Sequence, residues 1–122
     1  MVDLGVCLEA VRRALVYGRD MLEYRKHPKL FKSKVGGIGR ARIATEGFIE
    51  ALRAIVENCP LDDYEKGRLQ RMYENLKETN WETVARYSLS DDEVYSVISN
   101  ALESLRDYFG FSPVKYEKYL PW

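Results

Sequence analysis

The feature that most constrains this chain is the spacing of its apolar residues, which recur every three or four positions over long stretches. Leu4, Leu8, Val11, Leu15 and Leu22 form one stripe, and Ala41, Ala44, Phe48, Leu52 and Ile55 a second. Leu69, Met72, Tyr73 and Leu76 form a third, and Val94, Ile98, Ala101, Leu105 and Phe109 a fourth. Side chains three and four apart share one face of an α-helix, so each stripe predicts an amphipathic helix with one face to bury. No segment reads as a strand. The expected fold is therefore all-α: a compact bundle of four main helices plus one short helix. At 122 residues, a single domain over residues 1–122 is the simplest organisation, with enough chain for a real core.

Punctuation residues set the boundaries. Asp3 suits the N-cap of the first helix. Pro28 stops that helix, because the residue before a proline is pushed out of the α region. Residues 28–37 then read as a loop. The second helix begins near Ile38 or Gly39 and ends at Cys59-Pro60. Gly47 inside it marks either a soft spot or the close approach of another helix. Asp62 or Asp63 opens the third. Thr79-x-x-Glu82 and Ser90-x-x-Glu93 read as capping boxes. They introduce a short helix, WETVARY, and the last long one, which Gly110 can terminate. Residues 110–122 read as an extended aromatic tail. Short connections make neighbouring helices antiparallel.

The functional signal lies in "RKHPKLFKSKVGGIGRAR", residues 25–42, which holds seven Lys/Arg, one His, three Gly and no acidic residue. The whole chain balances 19 Lys+Arg against 19 Asp+Glu, so only the distribution is informative. Residues 1–60 carry 11 basic and 7 acidic side chains, and residues 61–122 carry 8 and 12. Such asymmetry permits an acidic partner on one face, or head-to-tail self-association. Gly36, Gly37 and Gly39 allow backbone N–H groups to turn toward an anion, and the helix that follows presents its positive end there. Arg25, Lys26, Lys29, Lys32, Lys34, Arg40 and Arg42 would supply the charge. The expected ligand is a nucleic acid backbone, DNA or RNA, or another phosphate polyanion. The alternative is a solvated connection whose glycines merely make the turn. The segment is not a Walker A loop, which needs GxxxxGK[ST], and no strand precedes it as a dinucleotide site would require.

The words VGGIGRARI resemble a helix-hairpin-helix motif, in which a Gly-hydrophobic-Gly turn joins two helices and its amides meet a DNA phosphate. Gly37-Ile38-Gly39 matches that turn, and Arg40 and Arg42 suit backbone contacts. The resemblance covers about fifteen residues. It departs where the family has a small residue and then an apolar one; those positions hold Ile43 and Glu46 in this chain.

No catalytic constellation emerges, and a non-enzymatic protein with no cofactor and no small-molecule substrate is expected. His27 is the only histidine and makes no metal site alone; it reads as a surface residue at a helix end. Asp62-Asp63 and Asp91-Asp92 sit at helix starts, where negative charge meets the dipole. If the first two long helices are antiparallel, Cys7 and Cys59 come to the same end of the pair. A disulfide is possible there, the alternative being two partly buried thiols. Most tyrosines, among them Tyr17, Tyr24 and Tyr73, read as half-buried at the core edge. The tail's Tyr116, Tyr119, Leu120 and Trp122 should pack onto something, either this chain's own helices or a partner subunit. An interaction module or homodimer without nucleic acid contact is thus the competing reading. The N-terminus lacks a basic stretch followed by an apolar run, so no signal peptide is expected. No stretch is apolar enough to span a bilayer, so no membrane partner and a cytoplasmic location are expected. Eleven Arg, nine Tyr and a single Gln resemble a thermophile's composition.

Overall fold

The structure, a computed structural model, describes residues 2–110. Those residues are mostly helical, with no strand among them: α1 Leu4–Lys26, α2 Pro28–Ser33, α3 Gly37–Asn58, α4 Asp63–Lys77, α5 Trp81–Thr83 and α6 Asp91–Phe109. A π-helical turn, Val84–Ser88, continues α5. The four long helices form a ring of antiparallel neighbours. α1 packs against α3 and α6, and α4 packs against α3. Polar side chains close the ring between α4 and α6: Asn100 Nδ2 donates to Glu65 at 2.7 Å, and Arg68 Nη2 donates to Ser96 Oγ at 3.0 Å.

The apolar stripes point inward, as amphipathic helices must. Val11, Leu15, Leu22, Phe48, Leu52, Ile55, Leu69, Val94, Ile98 and Leu105 are buried in one core. Phe109 departs from its stripe and is 39% exposed. Gly47 lies under the Tyr17 ring, and a Cβ there would come within 2.5 Å of it. The glycine is thus a site of close α1–α3 approach, one of its two expected roles. Tyr24, expected at the core edge, is fully buried, with its ring 5.4 Å from Phe31 and 5.9 Å from Trp81.

The caps explain most boundaries. Asp3 accepts from Val6 N–H, and Asp62 from Glu65 N–H. Ser90 and Glu93 form a complete capping box, and Gly110 ends α6 with a left-handed φ of 80°.

Two local expectations are corrected. Residues 28–37 are not a loop: Pro28 opens α2, because its fixed φ suits the first helical position, where no N–H is needed. The turn shrinks to Lys34–Gly36. Thr79 is not the cap of α5. Asn80 is, accepting from Glu82 N–H at 2.9 Å, while Thr79 Oγ1 donates back to Asn75 O at the end of α4. The tail beyond Gly110 lies outside the described residues.

Candidate polyanion-binding corner

The seven basic side chains of residues 25–42 fall into two groups. Each of the three arginines has an acidic partner, but only Arg25 is turned into the fold; Arg40 and Arg42 stay exposed on α3. Arg25, on the last turn of α1, has a side chain only 18% exposed. Its Nε donates to Ala85 O at 2.8 Å in the π-helical turn, and its Nη1 to Asp91 Oδ1 at 3.0 Å at the start of α6. It ties three elements together, and these bonds occupy its Nε and Nη1 donors. Arg40 pairs with Asp20 at 3.2 Å, and its guanidinium lies 5.7 Å from the Phe31 ring centre. Arg42 pairs with Glu46 at 2.8 Å. Two positions apart, Arg40 and Arg42 point to nearly opposite sides of α3, about 200° around its axis.

The four lysines form the other group. Lys26, Lys29, Lys32 and Lys34 are exposed. None makes an ion pair among the described residues. Their positions follow from α2. This six-residue helix buries one side chain, Phe31, against Tyr24, so Lys29 and Lys32 fall on its solvent side. Lys26 precedes it and Lys34 follows it. His27, also exposed, joins α1 to α2 as a shared cap.

The glycines do different work from one another. Gly36 is the N-cap of α3 at φ 75°, where L side chains are strained. Gly37 cannot carry a side chain, since a Cβ would sit 1.9 Å from the Phe31 carbonyl oxygen; its N–H is spent on Lys34 O at 3.0 Å. Gly39 faces open space. Gly37–Gly39 form the first turn of α3 rather than a hairpin between helices. The start of α3 has no side-chain cap and no acidic residue in its first turn, unlike α4 and α6. Its positive end is thus left to the surrounding medium. Beside it lies a shallow cleft of about 270 Å³ lined by Leu30, Phe31, Lys34, Val35, Arg40 and Glu23.

Cys7 and Cys59 are joined by a disulfide, with Cα atoms 4.9 Å apart, at the opposite end of the α1–α3 pair. Tyr116, Tyr119, Leu120 and Trp122 lie outside the described residues. No group of three His, Cys, Asp or Glu is placed to hold a metal among the described residues.

Two polar arrangements carried no sequence signal. Tyr24 Oη donates to Glu82 at 3.2 Å. Burial, and then this bond, lift the Tyr24 phenol above its ordinary pKa. The Glu65–Arg68–Ser96–Asn100 cluster joins α4 to α6. Both pair residues far apart in the chain, which no local pattern can announce. Comparison with protein-family models, curated proteins and solved structures finds no match.

Proposed function

We propose that this chain is a small, non-enzymatic helical accessory protein that binds phosphate polyanions through the corner formed by the end of α1, α2 and the start of α3. One observation carries the reading. Lys26, Lys29, Lys32 and Lys34, four cations within nine residues, are exposed and unpaired among the described residues, beside an uncapped helix N-terminus. Elsewhere the charged residues form many local pairs, such as Glu9 with Arg13 and Glu50 with Arg53. With Arg25 held in the fold and Arg40 and Arg42 each already beside a carboxylate, the contact is mainly a field of ammonium charges, which positions a polyanion without reading its sequence. Nucleic acid backbone is the polyanion that tests this. Affinity for unrelated duplex oligonucleotides should fall with salt, with a log–log slope of roughly −3 to −4 for four contacts. Lys29→Glu with Lys32→Glu and Lys34→Glu should weaken all of them alike while the helical circular dichroism stays unchanged. Absence of salt-dependent binding to any polyanion at low ionic strength would falsify the reading.

A second reading, an interaction module or homodimer, has its own support. A groove of about 480 Å³ runs along the α1–α3 seam past Val6, Tyr17, Gly47 and Ala54, rimmed by both acidic and basic residues. A mixed rim suits a protein better than a polyanion. Light scattering across concentration separates the two. A cytoplasmic setting fits the disulfide if the host cytosol tolerates such bonds, as those of hyperthermophiles do.

A further inference from the structure

Two side chains at the basic corner do not belong to a contact that is electrostatic alone. Val35 sits in the turn between α2 and α3, between Lys34 and Gly36, and is fully exposed. Turn positions usually carry Gly, Asn, Asp or Ser, which accept both the backbone geometry and the water. A β-branched aliphatic residue there gains nothing from the fold. Leu30, on α2, is 50% exposed. Both line the same cleft, together with Lys34 and Arg40. The aliphatic pair thus shares one cleft, with Lys34 and Arg40 beside it and one carboxylate, Glu23, on its lining.

A single exposed apolar residue is ordinary on any protein. What distinguishes this pair is its setting. It occupies the short α2–turn segment that also carries Lys29, Lys32 and Lys34, with Lys26 just before it. Resting on the polyanion reading and narrowing it, we propose that this corner docks on the surface of an anionic lipid bilayer. Val35 and Leu30 enter the headgroup region, and the four lysines lie against the lipid phosphates and carboxylates.

Three observations favour a bilayer over a nucleic acid. Of the side chains suited to bidentate phosphate contacts, Arg25 is held inside the fold by Ala85 O and Asp91, and Arg40 and Arg42, though exposed, each already meet a carboxylate, of Asp20 and Glu46. The aromatic ring at the corner, Phe31, is buried and offers no base a stacking platform. Lysine ammoniums act as point charges that suit a diffuse anionic field, and exposed aliphatics gain from an interfacial zone but not from a phosphate backbone. No helix among the described residues is long and apolar enough to cross a membrane, so the contact is with the surface.

The test is co-sedimentation of the full chain with vesicles of phosphatidylcholine alone, or mixed with phosphatidylserine, at low and high salt. Binding is expected to the mixed vesicles only, and to weaken with salt. Lys29→Glu with Lys32→Glu and Lys34→Glu should lower the partition coefficient more than about 100-fold. Val35→Ser should lower it by about fivefold and leave oligonucleotide affinity unchanged. Val35→Trp should raise it, because indole prefers the interface; that gain cannot come from a damaged fold. Failure to bind the mixed vesicles at low salt overturns the inference, as does a partition indifferent to both Val35 variants. Binding to oligonucleotides without binding to vesicles sinks the bilayer and leaves the polyanion reading standing. Binding to neither sinks both.

Discussion

Arg25 and Lys29 stand four residues apart in one basic run, yet they do opposite things. Arg25 gives its donors to Ala85 O and Asp91. Removing it leaves a carbonyl of the π-helical turn without its donor, so Arg25→Ala should cost about 1–3 kcal/mol. Lys29 is exposed and unpaired among the described residues, so Lys29→Ala should stay within about 0.5 kcal/mol. Urea denaturation of the two variants measures the difference, and equal losses would contradict this division between a structural arginine and a free lysine. The run itself does not separate them, because Arg25's partners lie sixty or more positions away. Tyr24 carries a second residue-scale expectation. Its folded pKa is raised, first by burial and then by the bond to Glu82. An unfolded tyrosine titrates near 10. Above that pH the unfolded chain loses this proton while the folded chain keeps it, so stability falls as pH rises toward the folded value. Tyr24→Phe should flatten that part of the fall above about pH 10, at a constant cost near 0.5–1.5 kcal/mol for the lost hydrogen bond. Denaturant midpoints at neutral pH and above pH 10 test it.

At the scale of elements, the long helices are legible in the sequence because their signals are local. The stripes at Ala41–Ile55 and Val94–Leu105, the caps at Asp3, Asp62 and Ser90, and the stop at Gly110 each need only a few consecutive residues. α2 is not legible. Pro28 closes one helix and opens the next, and the sequence alone shows the first effect more plainly than the second. Nor do six residues show a period; what holds α2 is Phe31, seated against Tyr24 of another helix. Thr79 misleads because a better-placed Asn follows it at once. The candidate corner is legible in composition but not in division: the run presents seven equivalent cations, whereas Arg25 is held by Ala85 and Asp91 far along the chain, Arg40 pairs with Asp20 of α1 and Arg42 with Glu46 of its own helix. The α2–α3 junction gives a sharp test. At Gly37 a Cβ would meet the Phe31 carbonyl oxygen, a backbone atom that cannot swing aside, while at Gly39 the space is open. Gly37→Ala should therefore destabilise the protein by more than about 1 kcal/mol and loosen α2. Gly39→Ala should be neutral, or stabilising by up to about 1 kcal/mol, since alanine restricts the unfolded chain. Amide exchange on α2 separates a local loosening from global loss. Similar effects from both substitutions would contradict the packing at Phe31.

Over the whole molecule, the α1–α3 pair has two ends of different chemistry. At one end the disulfide joins Cys7 to Cys59, helped by the Asp3 N–H donating to Asn58 O at 3.0 Å. The lysine corner is at the other, about 30 Å along the helices from Cys7 to Lys26 at 1.5 Å per residue. The bridge spans a sequence separation of 52, a long loop, so it removes much of the freedom of the unfolded chain. Reduction should lower the unfolding free energy by roughly 2–4 kcal/mol. For a domain of this size that is a fall in Tm on the order of 10 °C. At 25 °C the helices should persist, because Phe48, Leu52, Ile55, Val94, Ile98 and Leu105 remain packed in a core that does not depend on the bridge for its contacts. Polyanion affinity should then be the same with and without reductant, since nothing at the corner touches either cysteine. Thermal melts and fluorescence anisotropy, each run in both redox states, measure the two halves of this expectation separately. A reduced protein that keeps its helical signal at 25 °C but loses its binding would mean that the ends are coupled through α1 and α3. The corner would then not be the self-contained unit that the proposal takes it to be from Phe31, Gly37 and the short α2 helix.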